Sequence, residues 1–189
     1  MDMRKPIVSI FACLALNAIC GEVTPHVEGD VYTFSEAGEY SGSITGSKTI
    51  VMAGSGTLTL KGLGDGFTGS FVIRNGGILT ADTMAHFGAP TAITVENGGQ
   101  FKTPANSAGG LTTADVTFCG SGPDGSGAIY VQSQNNKAYF KTTKMSGDAT
   151  IQVQTGNDAW SSSVFGEALD MQGYTLSMNG QGMWKLGMA

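Results

Sequence analysis

The side chains able to do acid–base or metal chemistry are few and scattered. Two histidines occur, His26 and His86, far apart in the chain and in neither an HxH nor an HExxH arrangement, so the spacing that places two imidazoles on one metal is missing. Glycoside hydrolysis needs two carboxylates facing each other across a sugar. Asp65, Asp82, Asp115 and Asp124 are candidates by residue type alone, and solvated loop acids are the simpler reading of each. Arg74, the one arginine after residue 20, falls at the same place in a repeated segment as Glu96, which points to a solvent-facing position rather than a lyase base. Ser161–Ser163 lack a GxSxG elbow, and neither glycine-rich segment runs into Gly-Lys-Ser/Thr. "GSGPDGSG" around Asp124 has the glycine and aspartate of a calcium turn but not its repetition. Trp160, Trp184 and Tyr139–Phe140 would suit a sugar-stacking platform, although aromatics at strand ends more often stack inside. The sequence therefore names no catalytic residue, no metal ligand, no cofactor and no identifiable binding residue.

What would position such residues is a β-rich chain. Of 189 residues 29 are Gly, and charged residues make up only 13%, about half the usual share. Short runs of Thr, Ser, Val and Ile between glycines are the vocabulary of strands and tight turns. The formal net charge is −5, and removing residues 1–20 takes out Arg4, Lys5 and Asp2. A sparse, acidic surface offers no footprint for nucleic acid and none for an anionic membrane.

Residues 1–20 read as a signal peptide: Arg4 and Lys5, an apolar run over Ile7–Ile19, then Ala18 and Cys20 ahead of Gly21. The run is too short to span a bilayer comfortably, and no later segment is apolar enough to do so. Asn17 and Ile19 depart from a lipobox, which argues against lipidation of Cys20. Cleavage there would leave Cys119 as a single thiol, expected as a small core residue in a chain without internal disulfides.

A repeat organises the rest. "FVIRNGGILTA" (Phe71–Ala81) and "ITVENGGQFKT" (Ile93–Thr103) share alternating residues followed by Asn-Gly-Gly. Gly76 and Gly98 are separated by about 22 residues, a period in the range of solenoid rungs. Gly54, in "TIVMAGSGTLTL", lies one such period further back, and the phrase has an echo in "TLSMNGQGMWKL" (Thr175–Leu186). A hairpin explains one copy, since Asn-Gly is a strong hairpin signal. A fixed period instead predicts rungs of about 20–22 residues, stacked by parallel in-register pairing, because one rung cannot bury its own apolar face. On this reading residues 21–48 form a cap or first rung and 49–189 the repeat region, which breaks off partway through a further rung.

The ordered glycines and leucines in "GSGTLTLKGLGDGFTGSFVIRNGGILTADTMAHFGAPTAITVENGGQF" resemble the autotransporter-associated β-strand repeat of bacterial surface and secreted proteins. Gly54, Gly56, Thr57, Leu58, Leu60 and Gly62 match its opening, Phe67 and Gly69 its middle step, Gly76, Gly77 and Leu79 its turn, and Ile93, Val95, Gly98 and Gly99 its close. The resemblance implies a right-handed parallel β-helix exported across the inner membrane, acting as a non-enzymatic structural or adhesive element outside the cell. Partners would then be extracellular matrix, polysaccharide, cell-surface components, or further copies through open solenoid ends. A polysaccharide-active β-helix enzyme and a carbohydrate-binding module using Trp160 and Trp184 are the alternatives.

Overall fold

The computed structural model describes residues 21–105, 110–132, 140–154 and 169–180. The chain enters through β1 (His26–Glu28) and β2 (Val31–Phe34), a short antiparallel ribbon and the sole antiparallel pairing among the described strands. After it the strands alternate between two columns. The first contains β2, β4 (Thr49–Met52), β6 (Ser70–Ile73), β8 (Ala92–Val95) and β10 (Leu111–Gly120). The second contains β3 (Gly38–Tyr40), β5 (Gly56–Leu60), β7 (Gly77–Ala81), β9 (Gln100–Lys102) and β11 (Ile129–Val131). β12 (Phe140–Val153) is long enough to belong to both, and β13 (Leu169–Asp170) and β14 (Leu176–Gly180) pair with it. Within the columns every pairing is parallel, so the protein is a β-solenoid of about five turns.

The strands obey the alternation in the sequence. In β6 Phe71 and Ile73 are buried while Ser70 and Val72 are partly exposed; in β8 Ile93 and Val95 are buried. Thr49 lies beside Ser70, Ser70 beside Ala92, and Ala92 beside Asp115, so each step is one residue longer than the step before it. The next step, Asp115 to Thr142, is a sequence separation of 27, well beyond the expected rung length. Part of the surplus is a corner excursion. Val95 is joined to its second-column counterpart Phe101 by a tight turn, whereas Phe118 reaches Ile129 by way of a 3-10 turn at Pro123–Gly125.

The Asn-Gly-Gly segments are corners, not hairpins. Asn75 and Gly76 sit at φ 56° and 81°, and Gly76 lies in the region open to glycine at little cost. Gly56 N–H donates to Gly76 O, and Gly76 N–H donates to Gly98 O, so successive corners are tied along the axis. Gly76 and Gly98 are in phase as the spacing predicts; Gly54 is not. Gly56 pairs with Gly77, which sets Gly54 against Asn75, because this rung is one residue shorter.

The echo is corrected more deeply. Leu176–Gly180 pairs with Ala149–Val153, placing it in the second column, in line with β5. Met178 therefore continues the file of Leu58, Leu79, Phe101, Ile129 and Ile151, not that of Met52. Both columns use the same alphabet of alternating residues and glycine, so likeness of sequence did not report likeness of place.

Side chains stack inside as files along the axis. Phe67–Phe71, Phe71–Phe87, Phe87–Phe101 and Phe101–Phe140 have ring centroids 5.1, 5.9, 5.0 and 5.9 Å apart, and all five rings are buried. The 3-10 turn Met84–Phe87 drives Met84 and Phe87 into this core, so "DTMAHFGAP" closes a side of the rung. Each buried aromatic contributes about 1.5–3 kcal/mol of transfer free energy, and successive rungs share it, which makes the stack cooperative.

Candidate functional site

The residues singled out for chemistry are dispersed over the outside. Asp65 lies in an exposed turn and Asp124 at φ 58° in the 3-10 turn Pro123–Gly125. Asp82 and Asp115 stitch rungs together. Lys61 Nζ lies 2.9 Å from Glu39 Oε1 and 3.0 Å from Asp82 Oδ1, a ladder across three turns. Asp115 accepts from Thr142 Oγ1 at 2.7 Å and meets Lys141 at 3.5 Å, and Lys48 pairs with Asp30. Glu39, and then Asp82, raise the Lys61 pKa above its usual value. The Thr142 hydroxyl, more than Lys141, holds the Asp115 carboxyl below the usual range. Glu22 is lowered likewise by the Ser41 backbone N–H and hydroxyl.

His26 and His86 are not brought together. His26 borders a recess of about 240 Å³ with Glu22 and Glu36 beside the entry ribbon. His86 is partly buried on the 3-10 turn Met84–Phe87, with Nδ1 lacking a partner. Among the described residues no three of His, Cys, Asp and Glu converge as a metal site would require. Arg74 and Glu96 do occupy equivalent positions, each one residue past the register pair Ile73–Val95. Glu96 is exposed as expected, whereas Arg74 is half-buried and its Nε has no partner. Phe140 belongs to the core stack, not to a platform; Tyr139, Trp160, Ser161–Ser163 and Trp184 lie outside the described residues. Cys119 departs from the core expectation: it is half-buried, on the opposite side of β10 from buried Phe118, beneath Gly147.

A feature the sequence did not announce is an open groove of about 370 Å³ on the corner line. Asn97, Gly120, Ser121, Asp148, Ala149, Thr150, Thr175 and Ser177 line it, drawn from three successive corners, from β14 and from the residue just before it. Gly120 makes room for it: at φ 84°, a side chain there would collide with Asn97. The longer excursion after Gly120 supplies Ser121 as a wall. Buried Gln100 anchors that excursion, donating Nε2 to Ser126 Oγ at 2.8 Å and Gly127 O at 2.7 Å. Across the groove Asp148 Oδ1 accepts Thr175 N–H at 2.8 Å, and Ala149 N–H donates to Thr175 O. The only signal in the sequence was the loss of the NGG pattern at "CGSGPDGSG", which marks a corner built differently.

Fold and surface together define a class, the parallel β-solenoid with a polar, ladder-stitched exterior. Comparison with protein-family models, with curated proteins and with solved structures finds no significant match to this chain. No helix among the described residues is long and apolar enough to cross a membrane.

Proposed function

We propose that this protein is an exported, non-enzymatic β-solenoid of the autotransporter-associated repeat type, serving as a structural or adhesive element at the cell surface or outside it. The observation that carries the reading is how its surface carboxylates are used. Glu39, Asp82, Asp30 and Asp115 are engaged with cations or hydroxyls of neighbouring rungs, so they reinforce a rod rather than converge on a substrate. Export rests on the order of charge, apolar run and small residues in 1–20. Extracellular polysaccharide or matrix is the expected contact. Self-association through the ends of the stack belongs to the same reading, since Val27 (49% exposed) lies at one end and Tyr174 (41%) and Met178 (43%) near the other.

The test is to express the full chain with a C-terminal tag in a Gram-negative host and to follow processing and protease accessibility. The expected result is cleavage after Cys20 and a tag reached from outside the cytoplasm, with no release of sugars from a panel of polysaccharides. An unprocessed cytoplasmic chain, or turnover of any polysaccharide in the panel, contradicts the proposal.

A further inference from the structure

The corner groove has the chemistry of a receptor for a neutral, polyhydroxylated ligand. Asn97, Ser121, Thr150, Thr175 and Ser177 bring amide and hydroxyl groups to it, and each can both donate and accept. Their side chains make no hydrogen bonds to other described residues. Asp148 is held in place through Oδ1, which leaves Oδ2 free to accept from a ligand hydroxyl. Among the described lining residues no side chain is cationic and Asp148 carries a negative charge, so phosphate, sulfate and carboxylate ligands meet repulsion with no opposite charge to offset it. Ala149 is the one apolar side chain among the described lining residues, so an apolar ligand would strip water from the polar groups there with little in return. The single carboxylate among the described lining residues is also too few for a calcium site, which takes about six to eight oxygens, several of them charged. A sugar hydroxyl answers every group present, and about 370 Å³ falls within the usual range for small-ligand pockets.

We infer that the groove between Asn97, Gly120–Ser121, Asp148–Thr150 and Thr175–Ser177 binds a short stretch of neutral saccharide, with Asp148 Oδ2 accepting from a sugar hydroxyl. The inference rests on the adhesive reading for its biological setting and gives that reading a contact point. Charge-assisted bonds to a carboxylate are about twice as strong as neutral ones, which makes Asp148 the residue whose change is felt most. Its replacement by Asn keeps an oxygen for the Thr175 N–H, so the corner survives while the charge is lost.

The experiment is an amide NMR titration of the purified, folded chain with cellotriose, maltotriose and trigalacturonate, in EDTA. Saturable shifts confined to Asn97, Gly120, Ser121, Asp148–Thr150 and Thr175–Ser177 are expected with at least one neutral trisaccharide, and none with trigalacturonate. Asp148→Asn should weaken the neutral ligand about tenfold or more, and Thr150→Val, with its shape kept, by a smaller factor. Absence of saturable shifts with both neutral sugars, preference for trigalacturonate, shifts elsewhere on the surface, or unchanged affinity in Asp148→Asn would each overturn the inference. Cell attachment lost on deletion of the protein but retained in Asp148→Asn would remove the groove and leave the adhesive reading standing.

Discussion

Phe101 sits at the middle of the aromatic file, 5.0 Å from Phe87 and 5.9 Å from Phe140 by ring centroids, so it joins rungs rather than filling one. Phe101→Ala is expected to lower the unfolding free energy by about 3–5 kcal/mol, the range for truncating a buried aromatic; urea denaturation of the two chains measures it. Lys61→Met, at the exposed ladder, should cost far less than Phe101→Ala, because exposed ion pairs are weak. A larger loss at Lys61 than at Phe101 would mean that charge, not burial, holds the rungs together. Two Asn-Gly corners give a second contrast. Deamidation requires the glycine nitrogen to attack the preceding carboxamide carbon. Gly76 N–H is engaged with Gly98 O, whereas Gly98 N–H donates to no backbone carbonyl among the described residues. Asn97 should therefore deamidate faster than Asn75 in the folded chain, as peptide mass spectrometry after incubation in mild alkali would show. Equal rates would contradict this account of the corners.

At the scale of elements, the strands and their corners were legible because alternation and Asn-Gly-Gly are local signals. Phe71, Ile73, Ile93 and Val95 turn inward as their spacing indicates, and Gly76 and Gly98 stack as their period indicates. Phase between distant segments was not legible. "TLSMNG" reads like "TIVMAG", yet it pairs with the later part of β12 and joins the other column, because which column a strand enters depends on every corner before it. The groove was invisible for a related reason: Asn97, Asp148 and Thr175 are far apart in the chain and meet only through register. The corner itself can be tested. Gly76 holds φ 81° with no atom closer than 3.6 Å to an added Cβ, so Gly76→Ala meets backbone strain and no clash. A loss of about 1–2 kcal/mol is expected, the cost of a left-handed residue with a side chain. A neutral or stabilising change in thermal melts would mean that the corner is not held in this conformation.

For the whole molecule, the pH response follows from groups on the outside. The Ser41 N–H holds Glu22, the Thr142 hydroxyl holds Asp115 and the Gln172 side chain holds Asp170 below the usual carboxylate range. Their contribution is complete above about pH 4–5 and is lost as pH falls through the lowered folded values. Lys48 and Lys61 are raised by Asp30 and Glu39, so their contribution is complete below about pH 10 and is lost as pH climbs through the raised folded values. A broad stability plateau with shallow declines at both ends is expected in denaturant midpoints taken across pH; a steep change between about pH 5 and 9 would contradict it.

The Asn-Gly-Gly segments turn the chain from one parallel column to the next instead of folding it back on itself. Backbone NOE contacts in a labelled sample distinguish the two most directly. The solenoid predicts contacts between Val72 and Thr94, its in-register neighbour one rung on. Contacts between Val72 and Leu79, as a tight hairpin at Asn75–Gly76 would create, in place of those to Thr94, would contradict it.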